Sequence, residues 1–346
     1  MKIDNSKLKS DLSLLSNAVL KDNTARPITK MIELSTKNGF LYGYTNDGIN
    51  SIGIKICPIS DEFSAVINFA TLYDIVKVSK GDITLKATDK FVTIKTDNLS
   101  CKIPNYTINQ HNTNKIGLEH PIKPNNSQVI DFSNLKNELD YCKAILNPNF
   151  IIEAYKYIYF NDDIMVTDTD NVSIIHDCVF NKPILLSISS VNILTNFTEC
   201  NYEIFNKGSN EILGIYTDDI CVNIKTMNTI DYQYDDLHNL FNETFNNKIT
   251  IENSILSEAI TACKLFKYDP ILVFNNKGIL LKIPSIEFVY VINNTPCNEE
   301  YSFKITTDLL KKITVNSELI TIEYDNKSIL KCTSDKGEQI FSVEAS

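Results

Sequence analysis

An internal repeat of about 120 residues limits the fold of this chain more than any other feature. Three segments share an aliphatic residue, an acidic residue and, two positions further on, a serine; they are residues 3–9 (IDNSKLK), 130–136 (IDFSNLK) and 251–257 (IENSILS). A second motif recurs with Phe69, Ile188 and Ile305 as its equivalent positions. Because both markers give the same period, we expect the 346 residues to form three similar domains.

The repeated segments predict two short helices in each domain. After the first motif, the serine (Ser6, Ser133 or Ser254) can cap a helix, because its hydroxyl accepts from free backbone amides. Apolar residues then follow at helical spacing, and the expected buried positions are Leu8, Leu12, Leu15 and Val19; Leu135, Leu139, Cys142 and Leu146; and Leu256, Ile260 and Cys263. A second short helix is expected after each copy of the second motif.

The rest of each repeat alternates apolar with polar residues and is rich in β-branched and aromatic side chains, which is typical of strands. Polar turns such as residues 88–90, 217–219 and 325–327 predict antiparallel hairpins. The fold class is therefore α+β, with two short helices packed on antiparallel sheet in each of three tandem domains. Polar stretches at 109–128 and 232–247 indicate linkers and place the domains at 1–125, 126–246 and 247–346.

Charge and cysteine content restrict the function. The formal net charge is −10, so bulk electrostatics disfavour nucleic acid, and any DNA binding must come from locally concentrated lysine. Arg26 is the only arginine, which argues against bidentate reading of guanine and so against sequence preference. Nine scattered cysteines without a C-x-x-C pair predict neither disulfides nor zinc. With no signal peptide and no long apolar stretch, we expect a cytoplasmic protein without membrane contact.

Several segments resemble the bacterial sliding clamp, the beta subunit of the replicative DNA polymerase, along essentially the whole chain. In the first domain these segments are residues 26–28 (RPI), 32–34 (IEL), 39–48 (GFLYGYTNDG), 65–67 (AVI) and 103–106 (IPNY). In the second domain, residues 164–171 (IMVTDTDN) are similar to the strand that leads into the family's Thr-Asp-Gly turn. The order of these segments, combined with the threefold repeat, identifies the family that the chain resembles.

The resemblance implies that the chain forms half of a closed ring, a homodimer that surrounds duplex DNA, with short helices lining the hole. Lysines on the repeated helices would attract phosphate while the acidic exterior gives the negative total. The DNA-facing candidates are Lys7, Lys9, Arg26, Lys77, Lys80, Lys136, Lys143, Lys264, Lys267, Lys311 and Lys312. The alternative is that these lysines simply occupy solvated helix faces.

Head-to-tail ring closure in the family joins the first domain of one chain to the third domain of its partner. The candidates here are Leu99 and Cys101 on an edge strand and Leu265 and Phe266 at a helix end, although ordinary core burial is the stronger explanation for each of them.

Family clamps also bind partner peptides in an apolar cleft between the second and third domains. The matching candidates are Asn171, Val172, Ile174, Leu237, Leu240, Phe341 and Val343. Two departures suggest a different partner peptide: Asn171 stands where the family has glycine, and the tail EAS lacks the family's Pro-Met ending. A diverged clamp, such as one encoded by a phage or plasmid, would fit.

The expected role is that of a DNA polymerase processivity factor, with double-stranded DNA, DNA polymerase and a separate ATP-dependent clamp loader as partners. No catalytic residue, metal or cofactor is predicted, because the four histidines are dispersed and no phosphate-binding glycine motif occurs. Paired acidic residues such as Asp168 and Asp170 leave a metal-dependent nuclease as a distant alternative. A clamp-like scaffold that binds proteins without closing on DNA is the nearer alternative.

Overall fold

A computed structural model describes residues 1–20, 27–106, 118–123, 127–176, 180, 182–297, 299–314 and 317–345. Arg26 lies outside these residues. The three repeats have the same element order: a strand, a helix, four strands, a second helix and three strands. This common order confirms the α+β class and the threefold repeat.

The first repeat begins with a short strand and ends with an antiparallel hairpin and an edge strand. Its elements are β1 (Lys2–Ile3), α1 (Asn5–Leu15), β2 (Met31–Lys37), β3 (Phe40–Asn46), β4 (Asn50–Pro58), β5 (Ser64–Asn68), α2 (Phe69–Val78), β6 (Ile83–Ala87), β7 (Phe91–Lys95) and β8 (Ser100–Pro104).

The second repeat has shorter strands in its first half. Its elements are β9 (Gln128–Asp131), α3 (Leu135–Lys143), β10 (Ile158–Phe160), β11 (Ile164–Thr167), β12 (Asn171–Ile175), β13 (Ile184–Leu186), α4 (Ile188–Leu194), β14 (Glu199–Lys207), β15 (Asn210–Tyr216) and β16 (Ile220–Lys225).

An additional helix, α5 (Tyr234–Asn239), precedes the third repeat, within the stretch predicted to be a polar linker. The elements of the third repeat are β17 (Asn247–Glu252), α6 (Asn253–Lys264), β18 (Ile271–Asn275), β19 (Gly278–Ile283), β20 (Phe288–Asn293), β21 (Tyr301–Lys304), α7 (Thr307–Ile313), β22 (Leu319–Tyr324), β23 (Ile329–Thr333) and β24 (Glu338–Ser342), followed by β25 (Glu344–Ala345).

The chain divides into two compact units. The first unit contains the described residues of 1–133 and 189–226. It has a four-stranded sheet in the order β1-β6-β7-β8 and an eight-stranded sheet in the order β5-β2-β3-β4-β16-β15-β14-β9. The eight-stranded sheet is continuous because β4 pairs antiparallel with β16, with Ile52 opposite Val222.

The second unit contains the described residues of 134–188 and 227–346. Its eight-stranded sheet has the order β13-β10-β11-β12-β24-β23-β22-β17, and its five-stranded sheet has the order β20-β19-β18-β21-β25. Here β12 pairs antiparallel with β24, with Val172 opposite Ile340. The second repeat thus contributes strands to both units, and the domain boundaries at 125 and 246 remain predictions.

The apolar faces of the long helices are buried as the sequence predicts. On α1, α3 and α6 every expected core position within the helix is at most 2% exposed; these positions are Leu8, Leu12, Leu15, Leu135, Leu139, Cys142, Leu256, Ile260 and Cys263. Val19 and Leu146 lie beyond the ends of their helices and are half-buried. The same spacing that predicted the helices therefore also determines which face packs on the sheets.

The prediction that serine caps these helices is wrong. Asp4 caps α1, because its Oδ1 accepts from the Lys7 amide at 2.8 Å. Ser133 instead donates its hydroxyl hydrogen bond to Asp131, and α6 begins after Glu252 without a side-chain cap. In the first two repeats the serine donates to the aspartate two positions before it, and at α1 that aspartate, Asp4, is the residue that reaches a free helix amide.

Candidate functional site

A tight turn, residues 167–171, joins β11 to β12 in the second unit and forms one wall of the candidate partner site. The Asp168 carboxylate accepts from the Asn171 backbone amide at 2.8 Å and from Asn171 Nδ2 at 2.9 Å. Lys312 of α7 places Nζ 3.0 Å from the same carboxylate. The Ser342 amide donates to the Asp170 carbonyl at 2.9 Å, which joins the turn to the end of β24.

The structure corrects which residue of this turn replaces the family's glycine. Thr169 has φ 72°, the left-handed region that favours glycine, whereas Asn171 begins β12. In the first repeat the equivalent turn places Gly48 at φ 98°, and Asp47 there accepts from Asn50 as Asp168 does from Asn171. The glycine position is therefore Thr169, and its β-branched side chain makes this conformation costly.

A groove of about 600 Å³ lies beside this turn and is open to solvent. The turn, the start of α7 and the C-terminal strand form its walls; the lining residues are Asp170, Asn171, Lys304, Thr306, Asp308, Leu309, Lys312, Ser328, Ser342, Val343, Glu344 and Ala345. Asn171 and Val343, two of the residues predicted to line a partner cleft, therefore lie at this groove. Leu309 adds a half-buried apolar side chain.

The charges in the groove are largely compensated. Lys304 pairs with Glu344 at 2.8 Å, Lys311 pairs with Asp308, and Lys312 pairs with Asp168. Asn171 is only 7% exposed, and its Oδ1 accepts no hydrogen bond from the part of the chain that the structure describes. A buried acceptor without a donor is unfavourable, so a ligand that brings an N–H group to this position would be stabilised there.

The other predicted cleft residues belong to an apolar cluster on the same eight-stranded sheet. Val172 and Ile174 lie in this cluster, and Leu237 and Leu240 pack against it. The other buried members are Ala154, Tyr155, Tyr159, Met165, Leu185, Tyr232, Phe241 and Ile340. We call these eight residues, together with Val172 and Ile174, the apolar cluster. Phe341 is fully buried and lies opposite Asn171 in the β12–β24 pairing.

Four polar side chains hold α5 beside this cluster; we call Asp163, His176, Tyr234 and His238 the clasp. The Asp163 carboxylate, 7% exposed, accepts from Tyr234 Oη at 2.8 Å. His176 Nδ1 lies 3.0 Å from Asp163 Oδ1, and His238 Nε2 lies 3.3 Å from Oδ2. Burial, reinforced by the neighbouring Asp163 carboxylate, raises the pKa of Tyr234 well above its ordinary value, so its phenol is a donor at neutral pH.

The predicted DNA-facing lysines lie on or just after the repeated helices, and half of those described are already neutralised by aspartate. The ion pairs are Lys7–Asp11 (3.3 Å), Lys77–Asp74 (3.2 Å), Lys143–Asp140 (3.7 Å), Lys311–Asp308 and Lys312–Asp168 (3.0 Å). Within the described ranges, Lys9, Lys80, Lys136, Lys264 and Lys267 form no ion pair. These five carry the positive charge that is free to attract phosphate.

Each unit also ends one of its sheets in an edge strand. In the first unit β8 is an edge strand, with Cys101 half-buried on it and Leu99 in the turn just before it. In the second unit β20 is an edge strand that exposes Val289 and Val291, while Leu265 at the end of α6 is 76% exposed. Phe266 packs against Phe288 with ring centroids 5.0 Å apart. Exposed apolar edge strands are typical of strand-pairing interfaces.

Sequence reasoning missed several residues of these surfaces. Val289 and Val291 could have been recognised, because residues 288–292 (FVYVI) are apolar throughout and so predict a strand whose outward face is covered. Val78, 61% exposed at the end of α2, accepts through its carbonyl from Asn98 beside β8. The role of Lys304 and Leu309 follows only from the groove, which no local pattern predicts.

Other kinds of site receive no support from the described residues. No cluster of three or more histidine, cysteine, aspartate or glutamate side chains there is arranged to hold a metal ion. Asp168 bonds its own turn and Lys312, as expected for a structural aspartate. No described helix is long and apolar enough to span a membrane.

Comparison with solved structures gives the class of fold. The beta chain of DNA polymerase III from Streptococcus pneumoniae matches with a TM-score of 0.83 at 12% identity, covering 100% of this chain and 99% of that one. The Thermotoga maritima beta subunit gives 0.81 at 15% identity, covering 99% and 98%. The Helicobacter pylori beta clamp bound to a DNA ligase peptide gives 0.78 at 15% identity, covering 99% of each chain.

The chain therefore has the three-domain fold of the bacterial sliding clamps from end to end. At these identities the likeness establishes the fold and not the activity. No family model and no curated protein matches the sequence.

Proposed function

We propose that this chain is a DNA polymerase processivity factor that encircles duplex DNA as a head-to-tail homodimer and tethers polymerase and other partners. The observation that carries the proposal is the agreement of the whole chain with beta clamps, at 99–100% coverage of this chain. A fold alone does not define a function. The proposal therefore also depends on three surfaces: the lysine-bearing helices, the two sheet edges and the groove.

The unpaired lysines support binding to the DNA backbone. Lys9, Lys136 and Lys264 lie on three different helices and are exposed. Lysine recognises phosphate as a point charge, and such contacts are the same on every sequence. The protein would therefore bind duplex DNA without sequence preference.

The two edge strands support ring closure. A strand edge such as β8 can pair with β20 of a second copy, and the reciprocal pairing closes a ring by twofold symmetry. Cys101 and Leu99 at one edge would meet Leu265, Phe266 and the exposed valines at the other. Burying these side chains in a dimer would remove the apolar surface that the edges expose.

The groove beside Asn171 supports the capture of a partner peptide. It combines apolar Leu309 and Val343 with a buried acceptor, Asn171 Oδ1, that an N–H group of a peptide would satisfy. The Helicobacter pylori clamp was solved with a DNA ligase peptide bound, so the fold accommodates such ligands. The partners proposed for this chain are a DNA polymerase and an ATP-dependent clamp loader, with the chain itself performing no catalysis.

The place of action proposed is the cytoplasm, in keeping with the free state of the eight described cysteines. Identities of 12–15% with bacterial clamps support a diverged member, such as one encoded by a phage or plasmid.

One observation favours a second candidate, a clamp-like scaffold that binds proteins without closing on DNA. Half of the described lysine candidates are ion-paired, so the field that would attract DNA is weaker than their number suggests. The two candidates differ in oligomeric state and in their dependence on DNA topology.

The test compares retention on circular and linear DNA. The mass of the protein is measured by light scattering over a range of concentrations. The protein is then mixed with a nicked circular duplex, and the complex is separated from free protein by gel filtration. A processivity clamp is a dimer of about twice 39.2 kDa that stays on the circle and is released when a restriction enzyme linearises it. A strict monomer that is not retained on the circle would refute the ring and favour the scaffold.

Partner capture is tested at Leu309, because Ile174 is fully buried and its replacement would disrupt the core. Leu309→Asp should abolish stimulation of the cognate polymerase while leaving the dimer and DNA retention unchanged. Exposed Leu319→Asp, also in the second unit but outside the groove, is the matched control. Undiminished stimulation by Leu309→Asp would place the partner site elsewhere.

A further inference from the structure

Residues 232–241, which we call the linker segment, cover the apolar cluster of the second unit. Tyr232 stacks on Tyr159 with ring centroids 4.7 Å apart, and Tyr234 stacks on the same ring at 4.9 Å. Leu237 and Leu240 pack against the cluster, and Phe241 is one of its buried members. The face of the sheet that carries Val172 and Ile174 is therefore occupied by a nearby part of the same chain.

The middle of this segment is held less firmly than its ends. Tyr232 and Phe241 are buried, but α5 has six residues and none of them is fully buried. A helix this short is unstable by itself, so its position depends on its contacts. Its contacts include the half-buried Leu237, the stacking of Tyr234 on Tyr159, and the clasp, in which Tyr234 and His238 meet Asp163. Elements with little buried surface open locally at low free energy.

We propose that the linker segment is an internal occupant of a partner-docking surface, and that a partner binds by displacing α5 from the apolar cluster. This inference rests on the proposed function, because it concerns how the same partner site is controlled. The surface comprises the apolar cluster, which contains the predicted cleft residues Val172 and Ile174, and Val172 follows Asn171 of the groove along β12. The segment acts as an autoinhibitory contact that the partner must compete away.

The chemistry of the occupant identifies the kind of partner. The segment supplies two leucines three residues apart, Leu237 and Leu240, followed by an aromatic residue, and it carries Asp235 and Asp236 on its exposed side. A competing partner segment would be a short amphipathic helix with the same apolar spacing and an acidic outer face. Its aromatic residues would stack on Tyr159 as Tyr232 and Tyr234 do.

The experiment weakens the clasp without changing any residue of the apolar cluster. Tyr234→Phe with His238→Gln removes two contacts of Asp163 and leaves His176 at 3.0 Å to keep that carboxylate paired. Exposed Asn239→Ser on the same helix is the matched control. The probe is a labelled synthetic peptide with the sequence of residues 232–243, added in trans to the full chain and followed by fluorescence anisotropy. Hydrogen exchange of residues 234–241 is measured in parallel.

The clasp variant should bind the peptide about tenfold more tightly than the native chain, because its own helix competes less well, and the control should match the native chain. Exchange in residues 234–241 should rise by a similar factor while β11 and β12 stay protected. Equal peptide affinity in all three proteins, or slow exchange of α5 in the clasp variant, would overturn the proposal. If the double variant misfolds, Tyr234→Phe alone is measured by the same two criteria.

The proposed clamp function and the proposed displacement of α5 can be refuted independently of each other. Peptide binding and exchange need neither DNA nor polymerase, so a chain that never closes on DNA can still show displacement of α5. A chain that is retained on circular DNA but shows no competition at α5 would keep the proposed function and lose only this inference.

Discussion

Truncation of Leu265 tests the head-to-tail ring most directly. Its side chain is 76% exposed at the end of α6, beside the edge strand β20, so the isolated chain gains little from it. Full burial of a leucine side chain is worth about 1.5–3 kcal/mol, and Leu265→Ala should therefore remove about 1–2 kcal/mol from each interface. A ring has two equivalent interfaces, which gives about 2–4 kcal/mol per dimer.

This loss corresponds to a dimer that dissociates about 30- to 700-fold more readily. The assay is sedimentation equilibrium over a dilution series, with thermal unfolding measured on the same samples. Because Leu265 is exposed in the single chain, the melting temperature of the monomer should not change. Ile151→Ala is the matched control, since Ile151 is 95% exposed in the same unit but lies outside every strand edge.

Two results would refute the reasoning. If Leu265→Ala and the native chain dissociate at the same concentration, the edge formed by β20 is not the interface. If Ile151→Ala weakens the dimer as much as Leu265→Ala does, the association depends on general surface hydrophobicity rather than on a defined edge. In either case the exposed valines of β20 would require another explanation.

Three further predictions concern the turn and the helices. Thr169→Gly should raise Tm by about 1–3 °C in thermal unfolding. The reason is that the strain of threonine at φ 72° exceeds the additional chain entropy that glycine loses on folding. A lower Tm would show that Thr169 is not strained. Burial raises the pKa of Asp11, although the neighbouring Lys7 opposes this shift, so the charged Asp11 carboxylate disfavours folding at pH values above its raised pKa. Asp11→Asn should therefore raise Tm by about 1–2 °C at pH 7. Below the ordinary pKa of 3.8, where the carboxyl is protonated in both states, this gain in Tm should vanish. A dimer with Lys136→Ala and Lys264→Ala loses four lysines, so the slope of log affinity against log salt should fall by about 3–4 units, equally on unrelated duplexes; a sequence-dependent loss would contradict backbone binding.

The sequence predicts the repeated core because local pattern and burial agree there. Leu8, Leu12 and Leu15 lie at helical spacing and all three are fully buried, so the pattern alone identifies the face. Hairpins such as β6–β7 follow equally from alternation and a polar turn, with Leu85 opposite Ile94. In these elements neighbours in sequence largely determine the structure.

The candidate site was less predictable because distant residues determine it. Lys312 looks like a solvated helix lysine in sequence, but it lies 3.0 Å from Asp168, 144 residues away. The glycine position was misassigned for a similar reason: Asp168 and Asn171 define the turn by their hydrogen bonds, and only those bonds show that Thr169 takes the left-handed conformation. The polar composition of residues 232–247 predicted a linker and concealed α5.

The two parts of the candidate partner surface differ in how firmly the chain holds them. Thr169 keeps an unfavourable conformation, which persists only where surrounding contacts hold the backbone. Asp168 supplies those contacts through Asn171 and Lys312, so the wall of the groove is formed before any partner arrives. The apolar cluster is instead covered by α5, which has no fully buried residue. A partner would therefore bind first at the preformed groove, where little ordering is required, and displace α5 afterwards. In that order, weakening the clasp should change the dissociation rate of a partner more than its association rate.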